Sequence, residues 1–263
     1  MEHFYQLGWT LDPIGGSSSD AYKAEINGDK FFLKRNTSPF ITMLSVEGIV
    51  PKLVWTKRIE TGEVVTAQHW KNGRCLTDEE MNSDRVASLM RKIHSSDKLL
   101  NTLERLGMQP MLPELLLNRI ESSLSPKINA HKTVRKAIKY LNNKIPHIDS
   151  EFCRVCHGDV NNQNWLLSDE DELFLVDWEG AMIADPAIDI GMILYTYVDF
   201  KDWKNWLSKY GKSLDHDFRQ RMKWYTLIQC LTMIQWYEDR KRYKEMNHWI
   251  IFLNDILEKD MMV

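Results

Sequence analysis

Hydrophobic and polar positions fall into two regimes along the chain. Through residue 70 the apolar residues come in short runs bounded by turn residues, the mark of strands. Residues 7–14 read as a first strand and 21–26 as a second, separated by Gly15-Gly16-Ser17-Ser18-Ser19. Asn27-Gly28 is a two-residue hairpin signal, and a third strand at 30–34 comes after it and ends on Lys34. Between 38 and 51, Pro39 suits a first helical turn. Gly48 and Pro51 then limit that helix to about two turns. Residues 52–59 and 64–70 read as a hairpin about Thr61-Gly62. Beyond residue 70 the period changes. Val86, Leu89, Met90 and Ile93 make a helical stripe over 83–94. Further helices are expected at 113–123 and 131–141, and from Trp203 onward the chain reads as helical. One stretch interrupts this run: an apolar segment at Val155 opens into a polar loop, and Leu166, Leu167 and an acidic turn lead to a second strand that ends on Asp177.

The polar loop carries His157, Asp159 and Asn164. Two short strands joined by a tight turn put the residues at their ends into one crevice. Here these are two carboxylates and a carboxamide, all oxygen donors. Hard divalent cations such as Mg²⁺ take such a set, with phosphate oxygens and water completing the shell. Asp159 stands five residues before Asn164, the interval of the protein-kinase catalytic loop, in which the Asp receives the substrate hydroxyl proton and the Asn holds Mg²⁺. Asp177 occupies the place of the second metal-binding residue. Four fixed residues recur by chance at roughly one in 10⁵ positions, so a chance polar loop is a poor account.

Composition narrows the setting. A chain of 263 residues suits one large domain or two lobes. The net charge of −3 gives no reason to expect nucleic acid or an anionic membrane as the main partner. No apolar run reaches the length of a membrane span, and the N-terminus lacks the basic and apolar regions of a signal peptide. A cytoplasmic protein with four reduced cysteines is expected. Cys153, Cys156 and His157 match a haem-attachment pattern, but that use needs an export signal. Cys75 and Cys230 form no second pair for zinc. Small buried side chains in a strand explain Cys153 and Cys156 better.

His157-Gly158-Asp159 and then Asn164, in place of His-Arg-Asp, resembles the aminoglycoside phosphotransferase and choline kinase branch of the kinase-like superfamily. The resemblance implies an α+β, bilobal protein-kinase-like fold: a small antiparallel β-sheet N-lobe at 1–70, and a mainly helical C-lobe at 71–263. It implies ATP as phosphate donor, Mg²⁺ on Asn164 and Asp177, and Asp159 as catalytic base. Lys34 would hold phosphate beside the loop Gly15, Gly16, Ser17, Ser18 and Ser19, whose small residues let backbone N–H groups approach closely. No Walker sequence competes with that reading. Glu47, the one acidic residue between 36 and 57, would pair with Lys34. The hinge at Gln68 and Trp70 would meet the adenine. His157 would have a structural role in the loop, and Asp189 would hydrogen-bond back to it. His94 reads as a structural helix-end residue and Asp185 as a helix cap. Two departures from protein kinases favour a small-molecule substrate. Asn161 stands where a lysine is common, and only seven residues separate Asp177 from Asp185, too few for a peptide platform.

Ala67-Gln68-His69-Trp70, residues 155–167 and residues 175–179 are similar to the YtmP-like kinases of Gram-positive bacteria, the cell cycle regulator CcrZ group, and the similarity runs along essentially the whole chain. It implies a ribose-bearing acceptor, nucleoside or pentose. It also implies a role in timing replication and division, with a cell-division or replication protein as partner. Residues 199–263 carry twelve Lys/Arg and ten Asp/Glu, a poor match to a polycationic aminoglycoside. Trp203, Trp206, Trp224, Trp236 and Trp249 could cage a choline cation or stack a base, but core packing accounts for most of them. No residue is assigned to the acceptor. The competing class is a non-catalytic ATP-binding scaffold, against which stand Lys34, Asp159, Asn164 and Asp177, all present.

Overall fold

The computed structural model describes residues 8–14, 20–59 and 62–258. Two compact units emerge, and they interleave along the chain. The first takes the chain up to Thr77, then residues 97–106 and 162–180; the second takes the remainder. The expected division was a single cut after residue 70. The chain instead returns to the first unit twice.

In the first unit, β1 (Thr10–Pro13), β2 (Ala21–Ile26), β3 (Asp29–Arg35), β4 (Leu53–Arg58) and β5 (Val64–His69) form an antiparallel sheet in the order β1-β2-β3-β5-β4. Asn27 and Gly28 turn with φ of 53° and 86°, as a tight hairpin requires. Strand alternation divides the residues between two faces. Leu11, Tyr22, Ala24, Phe31, Leu33, Val65 and Ala67 pack one hydrophobic core with Ile59. Lys34, opposite Thr66, and Phe32, opposite Gln68, are left for the other face.

The helix Phe40–Val46 is as short as expected. It stops because Gly48 turns left-handed at φ 64° and the Ile49 N–H closes back on the Leu44 carbonyl at 2.9 Å, a glycine C-cap. A helix that spacing did not pick out, Asp97–Arg105, packs against it. A second small sheet joins Gly73–Cys75, Trp165–Ser168 and Leu173–Leu175.

The second unit is helical except for Arg154–Cys156 paired antiparallel with Met182–Ala184. Its axis is the 24-residue helix His216–Asp239. The helices Pro113–Ser123, Lys132–Asn143, Ala187–Tyr197 and Tyr243–Glu258 pack against that axis. Trp203, Trp206 and Trp224 are core residues, and their indole N–H groups donate to the Val198, Met81 and Leu141 carbonyls. Among the described residues, no helix is long and apolar enough to cross a membrane.

Gly191 lets the helix Ala187–Tyr197 lie tightly on the axis: a Cβ there would sit 2.6 Å from the Met222 carbonyl oxygen and 2.7 Å from Thr226 Oγ1. Backbone cannot yield cheaply, so Gly191→Ala should destabilise the chain by about 1–3 kcal/mol. Urea unfolding checks this, with a midpoint equal to wild type counting against the contact.

Candidate active site

The second unit carries the first part of the candidate catalytic loop, as far as Asn161. The strand Arg154–Cys156 is only three residues long, too short to fix the loop that leaves its end. Asp189 fixes that loop instead. This carboxylate is fully buried and accepts hydrogen bonds from the N–H of His157 at 2.7 Å and of Gly158 at 2.9 Å. His94 Nε2 lies 3.1 Å away on the same oxygen that His157 meets, and its Nδ1 is 2.8 Å from the Tyr210 hydroxyl. Burial opposes the ionised form of Asp189, but the His94 hydrogen bond and charge, with the Gly158 N–H, outweigh it and hold the pKa below its usual value. With Asp189 ionised, Nε2 is the donating nitrogen of His94. Burial pushes the Tyr210 phenol up, so its hydroxyl stays protonated.

Within the loop, the Asp159 N–H donates to His157 Nδ1 at 3.2 Å, so the buried imidazole braces the next turn. Asn161 Nδ2 donates to Asp159 Oδ1 at 2.6 Å. Spacing marked Asn161 only as a missing lysine; here it orients the carboxylate of Asp159. His94 was expected to be structural, and it is the residue that ties Asp189 to Tyr210.

The first unit carries the other charged set. The β3 residue Lys34 places its ammonium 2.9 Å from Asp177 Oδ1 and 2.6 Å from Glu179 Oε1. Burial works against the charged lysine, but the two carboxylates outweigh it and raise its pKa. Asp177 adopts φ 64°, a left-handed backbone that Asp tolerates better than most residues. The adjacent Val176 N–H donates to the Asn164 carbonyl at 2.8 Å, so Asn164 and Asp177 flank one strand end. Behind them, Trp178 is anchored through Nε1 on the Leu175 carbonyl and edge-on to Phe40.

Two carboxylate oxygens converging on one cation are what a divalent metal needs, and with Asn164 the donors are all oxygen, so the residues fit Mg²⁺. Glu179 joins this set although the sequence reading gave it no role. The Asp-x-Glu interval that ends at it is the signal that marks it.

Other expected partners differ. Among the described residues the Lys34 side chain pairs with Asp177 and Glu179, not with Glu47. Glu47 lies just past the end of its seven-residue helix and meets Lys98 at 3.0 Å, brought there by the helix Asp97–Arg105. Gln68 is buried, with its amide given to the Pro51 carbonyl at 2.7 Å. The Trp70 N–H is given to the Lys30 carbonyl at 3.1 Å, and its indole to Asn72. An adenine beside this segment would have to meet other backbone groups. Gly15, Gly16, Ser17, Ser18 and Ser19 lie outside the described residues.

His94, Cys156 and Asp189 cluster in the core, but each polar group is already committed. Burial holds the Cys156 thiol well above its usual pKa, and pushes Cys153 up to about 11. Burial thus favours the thiol over the thiolate that metal binding uses.

The antiparallel sheet with helices after it, and the braced loop that ends in Asp159, define a kinase-like fold. The phosphotransferase enzyme family model matches residues 10–225, and the chain belongs to that family. Protein LicA of Haemophilus influenzae is 30% identical over 100 residues, covering 35% of this chain and 37% of LicA; the match thus spans little more than a third of that relative. Among solved structures, choline kinase LicA from Streptococcus pneumoniae is similar with a TM-score of 0.68 at 18% identity, covering 94% of this chain and 93% of that one. Spectinomycin phosphotransferase APH(9)-Ia, in complex with ADP and spectinomycin, gives 0.68 at 13%, covering 95% and 93%. At these identities the likeness shows the fold.

Asp189→Asn replaces one acceptor oxygen with a donor facing a backbone N–H. It should cost about 3 kcal/mol or more at neutral pH. Because the folded pKa of Asp189 lies below 3.8, its contribution is present above that value and is lost as pH falls through the lower, folded one. The stability gap between wild type and Asp189→Asn in urea should therefore narrow towards pH 3. A gap independent of pH would count against an ionised Asp189.

Proposed function

We propose that the chain is an ATP- and Mg²⁺-dependent small-molecule kinase acting on a hydroxyl of a ribose-bearing metabolite, nucleoside or pentose. The observation that carries the catalytic part is the loop: Asp159 oriented by Asn161 and seated on a backbone held by Asp189. Asp159 accepts the proton of the acceptor hydroxyl, and Asn161 keeps its carboxylate turned for that transfer. Lys34 neutralises phosphate charge, for which its raised pKa keeps it cationic. Asn164, Asp177 and Glu179 would hold Mg²⁺, which when bound neutralises charge on the phosphates. The ADP of the spectinomycin phosphotransferase complex supports an adenine nucleotide as donor. Similarity to the YtmP-like group supports the ribose-bearing acceptor and a role in coordinating replication and division through a cell-division or replication protein; a cytoplasmic location rests on the sequence features that suggested it.

A second reading, choline or ethanolamine kinase, is favoured by the likeness to LicA. A quaternary ammonium calls for an aromatic cage. Three of the five C-terminal tryptophans are buried in the core, and the Arg240 guanidinium already covers Trp236 at 3.8 Å from the ring centroid. That supports a sugar hydroxyl over choline. The lobe assignment of 1–70 to nucleotide binding also belongs to this proposal, extended by residues 162–180.

ATP turnover with Mg²⁺ across nucleosides, ribose, deoxyribose, choline and an aminoglycoside tests these readings. ADP release is expected with a ribose-bearing acceptor, and Asp159→Ala should lower kcat by about 10²–10⁴-fold. Turnover with choline alone would select the second reading. ATP binding without any turnover would make the chain a scaffold.

A further inference from the structure

The second unit contains a cavity of about 390 Å³ whose lining includes neither His157 nor Asp159. The volume falls within the range of small-ligand sites, roughly 300–1,000 Å³. Its lining carries three Lys/Arg side chains and three Asp, a formal balance of zero, but the pairing is uneven. Arg221 gives its guanidinium to Asp185 at 2.5 Å and to Asp217 at 2.9 Å. Asp149 lies 3.7 Å from His147. Two cationic side chains on the lining, Arg154 and Lys212, meet no carboxylate among the described residues. Arg154 donates to the Glu151 and Cys153 carbonyls, both at 2.7 Å. The Lys212 ammonium rests over the Phe218 ring at 4.5 Å. A guanidinium fork and a point-charge ammonium facing one cavity call for a compact dianion, and the exposed Phe152 adds an apolar surface beside it.

The walls of this cavity also hold the catalytic loop in place. Arg154 begins the strand that runs into His157. Asp185, gripped by Arg221, accepts the Ala187 N–H at 3.0 Å and so starts the helix that bears Asp189. Tyr210 reaches His94, and through it Asp189. Strand, helix and hydrogen-bond relay all lead from the lining to the two N–H groups that seat the loop.

We propose that this cavity is a regulatory site for a small phosphomonoester, bound by Arg154 and Lys212, whose occupation stiffens the catalytic loop. Binding here is independent of which acceptor the enzyme phosphorylates. The source of the ligand, the enzyme's own product or another phosphorylated metabolite, shares this chemistry.

The test titrates inorganic phosphate and glycerol 3-phosphate into the full chain by calorimetry, with sodium chloride at matched ionic strength as control. Three variants run beside wild type: Arg154→Gln, Lys212→Gln and Lys34→Ala. Each cavity variant should weaken glycerol 3-phosphate binding by about tenfold or more, as loss of a charge-assisted hydrogen bond does, while Lys34→Ala leaves it unchanged. Lys212 is exposed, so its variant keeps the test meaningful if Arg154→Gln loosens the strand. Binding lost in Lys34→Ala but kept in the cavity variants would assign the anion to the nucleotide site and overturn the proposal, as would no binding at all. Hydrogen exchange at residues 156–160 should slow several-fold with ligand in wild type but not in Lys212→Gln. Unchanged exchange would overturn the coupling. Because neither readout uses turnover, failure here is distinguishable from failure of the kinase reading, which ADP release decides.

Discussion

The second unit depends on one buried negative charge. A carboxylate taken out of water is costly unless donors replace its hydration. Asp189 receives two backbone N–H groups and an imidazole. Those donors come from the segment after a three-residue strand and from the helix Asp84–His94. Neither could hold the geometry alone. The charge therefore acts as a clamp: if the loop moved away, an uncompensated carboxylate would be left in the core. A catalytic base needs that kind of rigidity, because positioning contributes more to phosphoryl transfer than proton abstraction does.

The first unit handles charge in the opposite way. Lys34 is largely covered, but Asp177 and Glu179 keep 50% and 75% of their side-chain exposure. Exposed ion pairs of this kind contribute little to stability and are screened by salt. Their partners can thus be exchanged at small cost, which is what a site binding and releasing metal and nucleotide requires. A clamp of desolvated bonds suits the proposed base, and an exchangeable ion cluster suits the proposed ligands.

The chemistry legible in the sequence was the chemistry encoded locally. The five-residue interval from Asp159 to Asn164 and the strand ending on Asp177 stand in the linear pattern, as does the hairpin at Asn27-Gly28. What the pattern did not hold was pairing between distant segments. Lys34 lies 143 residues from Asp177, and Glu47 meets Lys98 across 51. The helix Asp97–Arg105, which makes that second pairing, carries Leu99, Leu100 and Leu103 at helical spacing behind Ser95-Ser96, a local signal that the sequence reading passed over. The division into units was hidden for a related reason. Residues 162–180 carry the candidate metal ligands Asn164 and Asp177 and pack with the sheet-bearing unit, a return of the chain that no single boundary can express.

The same separation accounts for how the loop could answer to a ligand elsewhere. A loop braced by its own neighbours would respond only to groups that touch it. Here the brace is assembled from Tyr210, His94, Asp189 and the start of the helix at Asp185, so any change that tightens one of these members tightens the rest. Tyr210 and Asp185 both line the cavity. A ligand bridging the strand at Arg154 and the segment at Lys212 would join the strand that runs into the loop to the segment that follows Tyr210. Occupation of the cavity then adds a restraint in parallel with the buried carboxylate, and the free energy of ordering the loop falls on the ligand rather than on the catalytic residues.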